Sequence, residues 1–374
     1  MARILLIAGQ AESLLNFRGD LIAAMQAAGH EVHAAAPDGD AALKQSFAAR
    51  DIAFHPIAMA RTGMNPLVDA KSCSALYRLM RRSKPDAILA YTIKPVIYGL
   101  LAAQLAGIRR RFALITGLGF AFTECGGGAK RGMLRGVLTL LYKAALRKAA
   151  GVIFQNPDDQ KFFADESIVG PNVPTHRVHG SGVNVAYFAQ SALPVTPIFL
   201  MVGRVLADKG VREYAAAARI LKVQYPDARC QLLGALDSNP SAITKAELDG
   251  WVKDGAIDYL GVVADVRPAL AAASVFVLPS YREGTSRAAL EAMAMGRAII
   301  STDAPGCRET VEHGVNGLLV NARDADALAE AMMALARDGA KRERMGSASR
   351  TLAESLYDVR IVNAQMLSIM GLAA

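Results

Sequence analysis

Val275-Phe276-Val277-Leu278-Pro279-Ser280-Tyr281-Arg282-Glu283-Gly284-Thr285-Ser286-Arg287 and the apolar run that follows it, to Met295, decide the fold of this chain. Four bulky apolar residues ended by a proline read as a strand buried on both faces. The polar loop carries one glycine, and the residues from about Ala288 to Met295 read as a helix. Strand, loop and helix in that order make half of a βαβ unit, and such units build parallel sheets. Upstream, Ile198-Phe199-Leu200-Met201-Val202 starts the same alternation, which runs to about residue 337, and 341–372 reads as terminal helices. The first half repeats the pattern, with strands expected at 3–8, 31–37, 53–57, 86–91, 111–116 and 151–155. Between them, helical stretches at 14–28 and 95–106 stop at Gly29 and Gly107. Residues 190–197, Gln-Ser-Ala-Leu-Pro-Val-Thr-Pro, interrupt the alternation with two prolines and mark the expected boundary. At 374 residues the chain is roughly 2.5 times a usual domain. The expectation is therefore two domains, 1–190 and 197–374, with the last helix returning to the first.

With 52% apolar and 20% charged residues the chain is not disordered. No run of 18 apolar residues offers a membrane span. The opening Arg3-Ile4-Leu5-Leu6-Ile7-Ala8 is too short for a secretory core and reads as the first strand. Four cysteines, Cys73, Cys125, Cys230 and Cys307, lie at least 52 residues apart, which suits reduced, buried thiols in a cytoplasm. Net charge is +8, and residues 1–195 hold 22 Lys/Arg against 13 Asp/Glu. That one-sided excess points to an anionic partner such as phosphate or a membrane surface. Nucleic acid is excluded as the partner, since no recognition module is present and aromatics make up only 6% of the chain.

The first strand leads into Gly9-Gln10-Ala11-Glu12-Ser13-Leu14, which lacks the three glycines of a dinucleotide fingerprint and so disfavours an NAD enzyme. Gly9 either relieves crowding in a βα turn or lets the backbone approach an anionic or sugar ligand in a cleft. Asn16-Phe17-Arg18 opens the next helix, and Arg18 could reach that cleft. In the second half, Gly203-Arg204 follows a buried strand and Lys209-Gly210 precedes a helix. Two cations beside a helix N-terminus suit a diphosphate, or are simply solvated loop charges. Gly284 permits close backbone approach, and Thr285 or Ser286 can cap the helix whose free N–H groups would face phosphate. Glu283 lies in the loop and Glu291 in the first turns of the helix, so both could face one cavity. Glu291 sits among Leu290, Ala292, Met293 and Ala294, and a buried acid needs a partner, such as a ribose diol. Asp324-Ala-Asp326 has DxD spacing but reads as a helix start, and six scattered histidines show no zinc spacing, so no metal site is expected.

Taken together, Gly203-Arg204, Lys209-Gly210 and Glu283-Gly284 with Glu291-Ala-Met-Ala resemble the donor site of retaining glycosyltransferases of family 4 (group 1), over essentially the whole chain. The resemblance implies a GT-B fold, two Rossmann-like α/β domains with parallel sheets facing across a cleft, the first binding acceptor and the second donor. It further implies that Arg204 and Lys209 bind the diphosphate of a nucleotide sugar, with UDP the expected nucleotide. By the same resemblance Glu283 contacts donor hydroxyls near the Gly284–Ser286 backbone, Glu291 holds the ribose, and no metal or other cofactor takes part. Many members carry a histidine after the fifth strand, where this chain reads Ile115-Thr116-Gly117-Leu118-Gly119-Phe120. An acceptor site built on that histidine is therefore not expected here.

Asn16-Phe17-Arg18, Lys94-Pro95-x-x-Tyr98-Gly99, Thr116-Gly117-Leu118-Gly119, Gln155-Asn156-Pro157-Asp158-Asp159 and Gly306-Cys307-Arg308-Glu309 resemble, more narrowly, a bacterial subset that extends undecaprenyl-diphosphate-linked sugars. Transferases of N-acetylgalactosamine to diacetylbacillosamine-linked lipid belong to that subset. Lys94 and Thr116, at expected carboxyl ends of strands, with Gly117 and Arg18, are the candidate acceptor contacts, although Lys94 could equally be a surface cation. Nine basic residues between Arg109 and Lys148, against Glu124 alone, flank an apolar helical pattern at 130–148. That helix either lies on an anionic membrane as a peripheral anchor or is a core helix with a solvated basic face. Gly126-Gly127-Gly128 before it reads as a mobile or closely approached loop. A nucleotide-sugar epimerase of the same fold and a non-catalytic nucleotide-sugar binder stay open at this point.

Overall fold

The computed structural model describes residues 1–60, 65–119, 129–237 and 241–373, without the side chains of 129–131. Cys125, Glu124, Phe120 and the 126–128 glycines lie outside the described residues. The chain forms two compact units, Met1–Ser181 with Ile361–Ala374, and Gly182–Arg360.

The first unit holds seven parallel strands: β1 Arg3–Ile7, β2 Glu31–Ala36, β3 Ala53–Pro56, β4 Ala87–Tyr91, β5 Arg110–Ile115, β6 Gly151–Phe154 and β7 Thr175–Arg177, in the order β3-β2-β1-β4-β5-β6-β7. Ile4 and Leu6 point to one face of β1, Leu5 and Ile7 to the other, and all four are fully buried. Both faces are apolar because helices cover both. On one face Leu5, Ile7, Ile88 and Ala113 pack with Leu76, Leu100, Leu138 and Tyr142. On the other, Ile4, Leu6 and Leu114 pack with Leu14, Ile22, Val362 and Met366. The last helix, Val359–Ile369, thus belongs to this core.

The second unit holds six parallel strands: β8 Ile198–Val202, β9 Arg229–Leu233, β10 Asp258–Gly261, β11 Val275–Leu278, β12 Ala298–Thr302 and β13 Gly317–Val320, in the order β10-β9-β8-β11-β12-β13. Phe199, Met201 and Val277 pack beneath the helices Val211–Gln224 and Ala325–Ala336, and Leu200, Phe276 and Ile299 beneath Arg287–Ala294.

The expected boundary at 190–197 falls inside this second unit. Arginine side chains take the carbonyls of Ser191, Ala192 and Val195, and the Arg229 amide takes that of Pro197 beside the β8–β9 ladder. Arg297, fully buried, donates to the carbonyls of Ala273 at 2.7 Å, Ser191 at 2.6 Å and Ala192 at 3.3 Å. Arg350 donates to the carbonyls of Val185 at 3.1 Å and Phe188 at 3.0 Å, and Arg342 to that of Val195 at 3.3 Å. Two prolines therefore mark a clamped strap rather than a linker.

Two helices also differ from expectation. The stretch 14–28 is two helices, Ala11–Asn16 and Gly19–Ala27, broken at Phe17 and Arg18. The stretch 95–106 opens with a π-helical turn, Pro95–Gly99, before Leu100–Leu105 continues as an α-helix.

Candidate functional site

In the second unit, β8 and β11 lie side by side, so the loops leaving their carboxyl ends are neighbours, where open α/β sheets bind ligands. After β8 the chain passes Gly203 and Arg204, makes a short 3₁₀ turn at Ala207–Lys209, and enters the helix Val211–Gln224 through Gly210. Gly210 has φ +75°, and a Cβ there would lie 2.1 Å from the Pro279 carbonyl oxygen. This close approach brings the two loops together, and the Tyr281 amide donates to the Asp208 carbonyl at 2.9 Å.

Lys209 Nζ then meets Glu283 Oε1 at 2.5 Å, across 74 residues of sequence. Ser280 Oγ donates to the same carboxylate oxygen at 2.8 Å. The Glu283–Gly284 backbone is held from behind by Gly306, φ +76°, where a Cβ would fall 2.0 Å from the Glu283 carbonyl oxygen. The Glu283 amide donates to the Pro305 carbonyl at 2.9 Å. Lys209 and Glu283 keep 22% and 15% side-chain exposure, so a ligand can reach both.

Ser286 caps the helix Arg287–Ala294 by accepting from the Ala289 amide at 3.3 Å. Thr285 Oγ1 instead donates to the Gly284 carbonyl at 2.9 Å. Glu291 accepts from Arg287 Nε, one turn earlier, at 2.8 Å. Burial pushes the Glu291 carboxyl above the usual carboxylate range, against the opposing charge and hydrogen bond of Arg287. Arg204 is the most exposed of the set at 47% and pairs with Asp237 at 2.8 Å. The structure thus joins Lys209 to Glu283 directly and gives Arg204 and Glu291 separate partners. Gly203 has open space where a Cβ would stand, whereas a Cβ on Gly234, φ +156°, would strike the Gly203 carbonyl at 1.7 Å. Among the described residues no group of three His, Cys, Asp or Glu is placed to hold a metal ion. Asp324 caps the helix Ala325–Ala336 by accepting from the Ala327 amide at 2.9 Å.

In the first unit, Gly9 ends β1, and a Cβ there would come within 3.0 Å of Thr92 Oγ1, so this glycine makes room for its neighbour. Thr92 is exposed at the carboxyl end of β4 with φ +66°, an unusual backbone for a β-branched residue. Lys94 is no free surface cation. Its Nζ meets Asp69 Oδ1 at 2.7 Å, and Tyr98 donates to Asp69 Oδ2 at 3.0 Å. Asp69 is almost wholly buried, with 4% side-chain exposure. Arg18, also buried, lies over the Tyr91 ring at 5.1 Å and donates to Ser181 Oγ at 3.2 Å, which fixes the break between the first two helices. Thr116 follows β5 and leads into Gly117, φ +122°, and Gly119, φ +73°.

Sequence reasoning passed over Asp69, Asp237, Ser280 and Gly234. A buried acid in Pro66–Ser83 is visible only as Asp69 in the first turn, where a solvated helix start is the ordinary reading.

Residues 17–180 match the glycosyl transferase 4-like domain, and residues 196–338 match glycosyl transferases group 1. The N,N'-diacetylbacillosaminyl-diphospho-undecaprenol alpha-1,3-N-acetylgalactosaminyltransferase of Campylobacter jejuni is 30% identical over 374 residues, covering 96% of this chain and 95% of that protein. The UDP-Gal:alpha-D-GlcNAc-diphosphoundecaprenol alpha-1,3-galactosyltransferase of Escherichia coli is 28% identical, covering 72% of this chain and 71% of that protein. The solved structure of a sucrose-phosphate synthase from Thermosynechococcus elongatus superposes with TM-score 0.81 at 21% identity, over 99% of this chain and 98% of that one.

Proposed function

This chain belongs to the group 1 glycosyltransferases of the GT-B fold, and on that premise we propose that it moves a hexose or N-acetylhexosamine from a UDP-sugar to an undecaprenyl-diphosphate-linked glycan, with retention at the anomeric carbon. It is an enzyme of nucleotide-sugar glycosyl transfer in bacterial glycan assembly. The observation that carries the reading is the junction of Lys209 and Glu283 at the paired carboxyl ends of β8 and β11.

In this reading the cations Arg204 and Lys209 meet the charge of the leaving diphosphate, as a point charge and a guanidinium fork do for phosphate, and no metal or other cofactor is required. Glu283 and the Gly284–Ser286 backbone hold the donor sugar, and Glu291 the ribose. Gly203, open where a Cβ would stand, gives the donor room to approach the backbone, and Gly9 is a further proposed donor contact. The bond from the anomeric carbon to the diphosphate oxygen breaks, and a bond to the acceptor oxygen forms on the same face. The acceptor's hydroxyl proton passes to the departing phosphate oxygen. Catalysis is then positioning plus electrostatic stabilisation. Arg18, Lys94, Thr116 and Gly117 are the proposed acceptor side.

The work is done at the cytoplasmic face of a membrane. No described helix is long and apolar enough to cross one. Ala129–Leu146 buries Leu138, Tyr142, Ala145 and Leu146, so it is a core helix. Yet its other side exposes Met133 at 75% and Leu140 at 69%, with Lys143 and Arg147 exposed near them, an amphiphilic face that suits an anionic surface.

The test incubates the protein and EDTA with single UDP-sugars and an undecaprenyl-diphosphate-linked N-acetylhexosamine. Extension of the lipid-linked sugar by one α-linked residue supports the proposal. A β-linked product overturns retention, and abolition by EDTA overturns metal independence. A UDP-sugar altered with no acceptor present points to an epimerase instead.

A further inference from the structure

Away from the strand ends discussed above, the first unit carries a cavity of about 620 Å³ between the edge strand β3 and the helix Pro66–Ser83. Ile57 and Leu79, both buried, give it an apolar floor, and Arg78, Arg81, Arg82 and His55 stand around it. Its volume falls in the range of small-molecule sites.

Three arginines within five residues place like charges at i,i+3 and i,i+4 on one helix face, an arrangement that works against the helix. Among the described residues none of the three has an ion-pair or hydrogen-bond partner. The acids nearest in sequence are engaged elsewhere, Asp69 by Lys94 and Tyr98, and Asp86 by the Arg3 amide at 2.7 Å. The dipole of the helix accounts for cations in its last turn, Arg81 and Arg82, but neither for Arg78 nor for the cavity. His55 Nε2 is taken by His33 Nδ1 at 2.9 Å, and His33 Nε2 reaches Glu31 at 2.7 Å. Burial first, then the charges of His33 and Arg82, hold His55 below the usual imidazole range. At neutral pH the arginines therefore supply the positive charge of the cavity.

We propose that Arg78, Arg81 and Arg82 form a second anion site, separate from the donor loop, that takes a phosphate monoester or diester whose apolar part rests on Ile57 and Leu79. Guanidinium forks over an apolar floor match such a ligand in both its parts. The phosphate can come from a soluble phosphorylated metabolite or from a phospholipid headgroup, and the site does not depend on the transfer reaction.

The test titrates the full chain with inorganic phosphate and glycerol 3-phosphate by calorimetry, and sediments it with vesicles of phosphatidylglycerol or of phosphatidylcholine alone. The paired substitution Arg78→Glu/Arg82→Glu is compared with Arg78→Gln/Arg82→Gln and with Lys209→Met. Binding of the soluble phosphates that survives Lys209→Met and weakens at least about 10-fold in the arginine variants, about 1.4 kcal/mol, identifies a metabolite site. Binding to phosphatidylglycerol vesicles alone, lost in the same variants, identifies a headgroup site. The proposal is overturned by phosphate binding lost in Lys209→Met but kept in the arginine variants. It is equally overturned by vesicle binding unchanged in those variants when the soluble phosphates do not bind, or by no binding of either probe. Transfer to a soluble acceptor measured on every variant shows separately whether the reaction itself is intact.

Discussion

In the second unit the cations beside the sheet's carboxyl end lean on carboxylates that remain within reach of a ligand. Lys209 at 22% exposure meets Glu283 at 15%, and Arg204 at 47% meets Asp237 at 16%. In the first unit the cation in the comparable place, Lys94, is tied to Asp69, a carboxylate only 4% exposed that also accepts from Tyr98. The first arrangement can exchange its partner for a diphosphate at little cost, because each of its four side chains keeps 15% exposure or more. The second must keep its partner, because releasing Lys94 would strand a buried carboxylate, so an acceptor is met only by the Nζ protons that Asp69 leaves free. One unit holds its charges ready for ligand, and the other uses one of them as scaffold for the π-helical turn that Lys94 opens.

Removing each lysine should therefore have opposite consequences in the two units. Lys209→Met is expected to lower turnover by about 10²–10³, the scale of losing one transition-state donor. Its unfolding free energy should change by no more than about 1 kcal/mol, since the pair is partly solvated. Steady-state rates and chemical denaturation on the same preparation check both. Lys94→Met should do the reverse to stability, costing about 3 kcal/mol through the uncompensated Asp69. At about 2–4 °C per kcal/mol for a domain of this size, the loss is plain in a melting curve. Lys94→Met/Asp69→Leu should recover much of it, and no recovery would show that Asp69 is not the cause.

Gly306→Ala is expected to cost about 2 kcal/mol, because both its positive φ and the Glu283 carbonyl 2.0 Å from a Cβ oppose the methyl group. An alanine variant with a wild-type melting curve would mean that the loop does not need this glycine. The smallest effect concerns Glu291, whose folded-state pKa is raised chiefly by burial. The folded state then holds this proton more tightly than the unfolded chain, so the group's contribution is fully present at low pH and is lost as pH rises through the raised value. Glu291→Gln, which cannot ionise, should therefore gain stability relative to wild type as pH rises from 4 to 7. A difference that is flat with pH contradicts it.

The sheets were legible because their strands are buried on both faces, so Ile198–Val202 and Val275–Leu278 stand out as apolar runs. β7, Thr175–Arg177, did not, since it is three polar residues at an edge. The break at Phe17 and Arg18 was hidden because it depends on Tyr91 and Ser181, contacts no local pattern contains. At the site, residue types and spacing picked out Lys209, Glu283 and Glu291. That Lys209 meets Glu283 is a tertiary fact, enforced by Gly210 against Pro279 and Gly306 against Glu283. Lys94 was open between ligand contact and surface cation. The buried Asp69 that removes the second reading sits in another helix, 25 residues away.

The measurement that bears most directly on the donor loop is thermal unfolding of wild type and Lys209→Met with UDP, GDP, ADP or NAD, each in EDTA. A nucleotide at 100 times its dissociation constant stabilises by about 2.7 kcal/mol, a shift of several degrees at about 2–4 °C per kcal/mol. UDP should raise the wild-type midpoint in EDTA and raise that of Lys209→Met far less. No shift with any nucleotide, a shift with NAD alone, or an equal shift in both proteins would contradict it.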